Sequence, residues 1–429
     1  MEEKKQLRIL WIANSCGLSA GHLKMNVAGS GWVPALQEAL GQFSGCQLGL
    51  AFYFDRELAP FELGKTWYYP VKKLGNTKKK RLFNRLTGRT EYEENIPEFL
   101  KAIEAFKPDI IHVHGTEAPF GLIVKHVRSI PIVISIQGIL TAYGKKYFSG
   151  MNMPGLIRQI QSGYPFFRAD YKIWLKRAEI EQEILGKTEF IFGRTDWDRR
   201  VCRVMTPQAH YFHVEEVIRK EFYPLKWKPL RNEIPVLFTT SSPSLYKGFE
   251  NIIDTATILL KKGIPFTWMV AGLKEGDALV KLIRSAKGID DLQALNIHLL
   301  GTLSGKELAG WLMKSDIYIQ VSHIENSPNS LCEAMLAGVP IIASSVGGTS
   351  SLLQDKLQGL LFQDGDPYLL AGCIDEMLRE PERFLPMAEE AYRLSHRRHD
   401  PETVVNDMID KYSSIIERKK SADSHSFGK

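Results

Sequence analysis

The chain has little cysteine. Its 429 residues hold five: Cys16, Cys46, Cys202, Cys332 and Cys373. They are scattered, odd in number and show no C-x-x-C spacing. That argues against a disulfide framework or a structural zinc site and fits a reducing cytoplasm. Long hydrophobic runs are also missing. None approaches the ~18–20 residues of a membrane span, and the longest, around Ile130–Leu140, is broken by Pro131, Ser135 and Gln137. Met1–Leu7 is charged and runs straight into the apolar Leu7–Ala13, so no cleavable leader is expected. The sequence has no P-loop, no H-E-x-x-H and no G-x-S-x-G elbow. Strong charge of one sign is absent too: 55 Lys and Arg face 49 Asp and Glu, a net +6. An excess this mild suits a phosphate-bearing ligand or an anionic membrane surface and does not point to nucleic acid.

What is present is ordinary globular composition, 44% hydrophobic and 24% charged, in a chain too long for one common core. Apolar, β-rich runs alternate with amphipathic stretches. Strands are predicted at Leu7–Ala13, Leu48–Phe54, Ile110–His114, Ile132–Ile136 and Phe190–Phe192. A second set follows at Val236–Thr240, Phe266–Ala271, Ile297–Leu300, Ile317–Val321 and Ile341–Ala343. Several are continuous Val/Ile/Leu runs, as strands covered on both faces should be. Segments such as Gly248–Lys262 and Lys306–Lys314 read as the helices between them. The pattern predicts two successive parallel α/β domains. The proline-bearing stretch Tyr223–Pro235 reads as the linker, and Ser421–Lys429 as a frayed end.

Two stretches of the first half do not fit simple βα units. Lys72–Arg89 is basic, with Lys78, Lys79, Lys80, Arg81, Arg85 and Arg89. Tyr143–Lys176 interleaves aromatics (Tyr147, Phe148, Tyr164, Phe166, Phe167, Tyr171, Trp174) with basic residues. Both read either as a solvated face with core aromatics or as a surface for anionic lipid or acceptor docking.

The most informative segment is Ser322–Leu353, SHIENSPNSLCEAMLAGVPIIASSVGGTSSLL. It follows a strand and reads as loop, helix, stop and strand. Ser330 is placed to cap the helix with Glu333 as its capping-box partner, and Gly338 and Pro340 end it. The amides of Asn329, Ser330 and Leu331 then head a helix at the carboxyl edge of a parallel sheet, where phosphate binds readily. Glu325 and Glu333 bracket that helix start. Alone, Glu333 reads as a cap and Glu325 as a surface acid. Together, on either side of a phosphate-binding helix end, they suit the hydroxyl pairs of a sugar and a ribose. Lys247 follows the strand Val236–Thr240, precedes Gly248, and can neutralise a diphosphate leaving group without a metal.

The E-x7-E pair Glu325/Glu333, followed by A-M-x-A-G-x-P, a strand and Gly-Gly, resembles the donor-site signature of glycosyltransferase family 4. These are retaining enzymes of the GT-B fold. The likeness extends loosely over most of the chain through the turn at Leu299–Gly301 and the Lys247–Gly248 pair. It implies two Rossmann-like parallel-sheet domains facing a central cleft. Residues 1–225, joined by a helix over 401–418, would form the acceptor domain and 226–400 the donor domain, with 419–429 disordered. The resemblance places Glu325 at the donor sugar, Glu333 at the ribose, the amides of residues 329–331 around the diphosphate and Leu300–Leu303 at the base, with Ser327 also in the donor site. The family usually has an arginine where this chain has Ser242, and Arg194 is a candidate replacement.

On the acceptor side, Gly29 and Gly31 resemble the family's glycine-rich first loop. His112 and His114 end a strand; His114 is preferred for the cleft, with core packing the competing reading for either. Gln137 stands where the family often has a histidine; it can orient a sugar but cannot relay a proton at neutral pH. The Asp-x-Asp pairs at Asp196–Asp198 and Asp364–Asp366 read as loop or helix-start acids rather than metal ligands.

The expectation is a retaining glycosyltransferase moving a hexose-type sugar from a UDP- or GDP-linked donor to a glycan or lipid-linked acceptor. It would need no metal or further cofactor, and would work in the cytoplasm or at the inner membrane face in polysaccharide synthesis. The competing readings are another GT-B activity, such as a nucleotide-sugar epimerase or a phosphorylase, and a non-catalytic nucleotide-sugar- or glycan-binding protein.

Overall fold

A computed structural model describes residues 6–25, 31–43, 45–74, 79, 83, 93–150, 167–230 and 232–426. The chain divides into two compact units. The first comprises Met1–Gly144, Arg168–Val217 and His399–Lys429; the second comprises Lys145–Phe167 and Ile218–Arg398.

The first unit is built on a sheet of order β3-β4-β2-β1-β5-β6-β7-β8. Its strands are β1 (Leu7–Ala13), β2 (Cys46–Phe54), β3 (Phe61–Leu63), β4 (Thr66–Lys72), β5 (Ile110–His114), β6 (Ile132–Ser135), β7 (Phe190–Gly193) and β8 (His210–His213). All neighbours are parallel except the β3–β4 hairpin. The central strands are the continuous apolar runs of the sequence, buried on both faces. Strands β3, β4 and β8 escape a reading of periodicity because they lie at or next to the sheet edges. Phe61–Leu63 and His210–His213 are partly solvent-exposed, so no two-sided apolar pattern marks them.

Helix α1 (Trp32–Leu40) lies under the long C-terminal helix α2 (Pro401–Ser426). Val404, Val405, Met408, Tyr412 and Ile415 share the core cluster with Trp11, Leu36 and Leu40. The Tyr412 hydroxyl reaches His112 Nδ1 at 2.5 Å and accepts from Trp11 Nε1 at 3.3 Å. Tyr412→Phe should therefore cost about 1–3 kcal/mol by leaving buried partners unsatisfied, read as a lower midpoint in urea unfolding. Of the tail expected to be disordered, residues 419–426 are helical, with Lys419 Nζ 2.9 Å from a Glu189 carboxylate oxygen; residues 427–429 lie outside the described residues. Extending an already nucleated helix costs little, even for small polar residues.

The second unit carries a parallel sheet of order β11-β10-β9-β12-β13-β14. Its strands are β9 (Val236–Thr240), β10 (Thr267–Ala271), β11 (Ile297–Gly301), β12 (Ile317–Gln320), β13 (Ile341–Ser344) and β14 (Leu360–Phe362), with apolar clusters on both faces. The chain enters this unit after Val217, earlier than the boundary expected at residue 225, because Ile218 and Phe222 are buried in its core. Nor is Tyr223–Pro235 a loose linker. The Trp227 amide donates to the Ala337 carbonyl and its indole to the Ser315 carbonyl, both at 2.8 Å. Residues 145–150 also join this unit, with Tyr147 and Phe148 packed on its core.

These contacts decide part of the aromatic–basic stretch. Tyr147 and Phe148 are core-packed, and the Trp174 indole donates to the Leu140 carbonyl at 3.0 Å. Tyr164 and Phe166 lie outside the described residues, as do Lys78, Lys80, Arg81, Arg85 and Arg89 of the basic run. Among the described residues, no helix is long and apolar enough to cross a membrane.

Candidate functional site

In the second unit β9 and β12 are hydrogen-bonded neighbours, while β10 and β11 extend from one side and β13 and β14 from the other. The strand order reverses there, and the loops at the carboxyl ends of such strands are where open α/β sheets bind ligands.

Lys247 closes a 3₁₀ turn after β9, and Gly248 follows at φ 72°. A Cβ at Gly248 would stand 2.0 Å from the Val321 carbonyl oxygen. Glycine therefore lets the lysine turn lie against the end of β12, and the His323 amide donates to the Tyr246 carbonyl at 2.7 Å. The result places Lys247 Nζ 2.6 Å from Glu325 Oε1. Burial works against the charge on Lys247, but the Glu325 carboxylate outweighs it and raises the lysine above its ordinary range.

Glu325 is also held through its backbone. Gly347, in the loop after β13, has φ 49°, and a Cβ there would stand 1.9 Å from the Glu325 carbonyl oxygen. The Gly348 amide donates to that same oxygen at 2.9 Å.

Helix α3 (Asn329–Ala337) begins beside this pair, with Gly338 at φ 77° as its stop. The expected capping box is not formed. Pro328 occupies the N-cap and no side chain caps the helix. The Ser330 hydroxyl bonds Tyr318, and Glu333 turns to Arg219, whose Nε donates to Glu333 Oε1 at 2.8 Å. Of the three amides expected at the helix head, that of Leu331 already donates to the Pro328 carbonyl at 3.0 Å, and the Leu331 side chain is fully buried in the core. Asn329 and Ser330 remain as the leading amides. Nearby, Ser327 Oγ, Asn329 Oδ1 and Ser241 Oγ are buried without a protein partner, atoms that a polar ligand would satisfy.

Arg219 was not anticipated. It lies in the stretch read as leading to the linker, 114 positions from its partner, so no local spacing announces it. Its guanidinium also covers the Phe222 ring at 5.0 Å. Arg219→Ala would strip a charge partner from Glu333, which is 5% exposed. The thermal unfolding midpoint should fall, because removing one partner of a buried ion pair leaves the other charge poorly compensated.

The other expected residues are distributed as follows. Leu300 and Leu303, at and after the end of β11, pack half-buried against the core cluster under α3. Ser242 accepts from the Ser244 amide at 2.7 Å through its carbonyl. Arg194 belongs to the first unit, where its Nη1 donates to Glu216 at 2.9 Å in a buried pair; burial pushes the Glu216 carboxyl up to about 7 against the pull of Arg194. Within the second unit, Glu325 meets Lys247 and Glu333 meets Arg219.

Also in the first unit, His112 is consumed by packing: its ring bonds Tyr412 and Ser135, each at 2.5 Å. His114 differs. Its ring lies edge-on to Trp11 and Trp32, with centroids 4.8 and 5.2 Å away, and neither ring nitrogen has a protein partner. Burial first and Arg194 second hold its pKa down at about 3, so it is neutral. Gln137 follows β6, the neighbour of β5, with its Cγ beside Gly115. Gly31 precedes α1; Gly29 lies outside the described residues. The Asp-x-Asp pairs are structural acids: Asp198 and Thr195 form a capping box, Asp366 caps the next helix and Asp364 meets His323.

Residues 226–394 match the family model described as glycosyl transferases group 1. The D-inositol 3-phosphate glycosyltransferase of Frankia alni is 34% identical over 111 residues, 26% of this chain and 26% of that protein. The amylovoran biosynthesis glycosyltransferase AmsK of Erwinia amylovora is 22% identical over 184 residues, 42% of this chain and 44% of that protein. The matched regions thus span less than half the length of these curated relatives. Among solved structures, sucrose-phosphate synthase of Thermosynechococcus elongatus superposes with a TM-score of 0.68 at 15% identity, covering 96% of this chain and 100% of that one. HepE of Anabaena, in complex with UDP and glucose, gives 0.61 at 16% identity, covering 95% and 100%. The architecture is the GT-B fold of these glycosyltransferases, two parallel-sheet α/β domains.

Proposed function

We propose that the chain is a glycosyltransferase that takes a hexose-type sugar from a UDP- or GDP-linked donor held by the second unit. The observation that carries this is the Lys247–Glu325 pair, 2.6 Å apart at the switch point of the parallel sheet, next to the head of α3 and to Glu333 on Arg219. Such a set offers cationic charge and helix amides to a diphosphate and carboxylates to sugar and ribose hydroxyls. A UDP complex of a GT-B neighbour and a group 1 match over 226–394 support the same reading.

In the proposed reaction the acceptor hydroxyl oxygen bonds the anomeric carbon as the bond from that carbon to the diphosphate oxygen breaks. The hydroxyl proton passes to the departing phosphate on the same face, and configuration is retained. Lys247 and the α3 amides stabilise the charge that grows on the diphosphate, so no metal is required. Donor entry separates Lys247 from Glu325: the lysine goes to phosphate and the acid to sugar hydroxyls. We assign acceptor recognition to the first unit, where neutral His114 ends β5 and Gln137 follows its neighbour β6. A glycan or lipid-linked acceptor in polysaccharide synthesis fits the AmsK relative.

The test is incubation with a panel of UDP- and GDP-sugars, following nucleoside diphosphate release and the anomeric configuration of any product. Release from at least one donor is expected, with the α-linkage of an α-donor preserved. Inverted product would exclude the same-face route. Binding without release for every donor and acceptor would favour the non-catalytic reading that Ser242 and Gln137 keep in view.

A further inference from the structure

His323 stands two residues before Glu325 and takes no part in the reaction outlined above. Its side chain is 3% exposed, and both ring nitrogens meet carboxylates: Nδ1 with Asp364 and Nε2 with Glu250, each at 2.5 Å. Ionised carboxylates only accept, so a ring serving two of them carries both protons. Burial lowers the affinity of this ring for its proton, and the hydrogen bonds and charges of Asp364 and Glu250 overcome that, bringing the pKa up to about 9. Glu250 is itself 3% exposed, and its Oε2 has no partner, so His323 is its counter-charge. Asp364 is shared with Lys146 Nζ at 2.8 Å. Burial raises the Asp364 pKa, while His323 and Lys146 bring it below the ordinary carboxylate range.

Each of these groups comes from a different part of the site. Glu250 lies in the first turn of the helix Phe249–Lys261, directly after Lys247 and Gly248. Asp364 lies in the turn after β14. Lys146 belongs to residues 145–150, and Gly150 of the same stretch is so close to Glu250 that a Cβ would stand 2.1 Å from Oε1. The His323 amide adds its bond to the Tyr246 carbonyl, next to Lys247. One buried cation therefore joins the lysine turn, the acid loop, the turn after β14 and the strap at 145–150.

We propose that His323, held as an imidazolium between Glu250 and Asp364, is a positioning residue for the donor site, setting the spacing of Lys247 and Glu325 without touching substrate. This rests on reading the second unit as a nucleotide-sugar site. Two pH dependences follow, and they differ. The folded pKa is above the free value of 6.5. The stability His323 contributes is therefore complete below about pH 6.5, declines as pH rises, and is gone above about 9. Site geometry depends on the folded protein alone, so ligand affinity changes only near pH 9.

The experiment uses the full chain, UDP and GDP as probes, and the double variant Glu250→Gln/His323→Gln, which removes the buried charge together with one counter-charge and leaves Asp364 paired with Lys146, its folding checked by circular dichroism. Calorimetry at pH 7.5 should show the variant binding about 10-fold more weakly than the wild type. Between pH 8 and 10 the wild type should lose affinity and converge on the variant; base deprotonation affects both proteins alike. Equal affinities with superimposable pH profiles would overturn the proposal. If the wild type binds neither nucleotide, the donor reading fails instead, and thermal unfolding judges the cluster alone. The wild-type midpoint should fall between pH 6.5 and 9 by an amount absent from the variant; identical profiles would overturn the imidazolium itself.

Discussion

Lys247→Ala should lower turnover by about 10²–10³-fold, the usual cost of removing one preorganised charge from a developing oxyanion. The lysine is the group placed to carry the leaving diphosphate. It is cationic before the donor arrives: burial works against its charge, but the Glu325 carboxylate outweighs that, so no proton need be taken up before it acts. The substitution also removes the partner of Glu325, whose side chain is 8% exposed, and an unpaired acid at that depth destabilises the fold. The companion variant Lys247→Met/Glu325→Gln separates the two effects. Its thermal midpoint should return close to the wild type while turnover stays lost. Nucleoside diphosphate release under saturating donor measures the first effect and thermal unfolding the second. A single variant with near-normal turnover would remove Lys247 from the chemistry.

Gly347→Ala should be nearly as damaging, although residue 347 has no side chain to offer a substrate. At φ 49° a side chain is strained, and the new Cβ would stand 1.9 Å from the Glu325 carbonyl oxygen. Backbone cannot yield there as a side chain would. Either the loop after β13 or the loop carrying Glu325 must move, and a displacement of about 1 Å at a reacting group costs about 10²-fold in rate. Donor turnover should fall by that factor, with unfolding shifted to lower temperature. Gly276→Ala is the control: a Cβ there meets nothing within 4 Å, and both readouts should stay at wild-type values. A Gly347→Ala enzyme with full turnover would show that the Gly-Gly loop does not hold Glu325.

These effects explain what the sequence could and could not disclose. Glu325, Glu333 and Lys247 could be singled out as candidates because each sits in a local pattern: strand, loop, helix start, or strand, turn, glycine. The structure puts Lys247 and Glu325 in contact across 78 positions of sequence, a pairing that follows from the adjacency of β9 and β12. The partners of these acids were not legible. Arg219 has no periodic neighbour to mark it. Glu250 and Asp364 come to His323 across 73 and 41 positions, through a strand order that alternating apolar runs imply only in outline. The misread cap at Ser330 has a similar cause. S-x-x-E is a valid local signal, but a charged partner for Glu333 outcompetes a bond to a backbone amide, and Pro328 takes the cap position. Edge strands such as Phe61–Leu63 were missed for want of a two-sided apolar pattern, and the helical end at 419–426 because its small polar residues carry no amphipathic pattern of their own.

Hydrogen exchange of the full chain with and without saturating UDP or GDP tests the central claim most directly. The account predicts slowed exchange in the loop 241–248 and at the amides of Asn329 and Ser330, with little change at Leu331, whose amide is already bonded to Pro328. Lys247→Ala should weaken that protection. Slowed exchange confined to the first unit, or none with either nucleotide, would contradict a donor site built on Lys247, Glu325 and the head of α3.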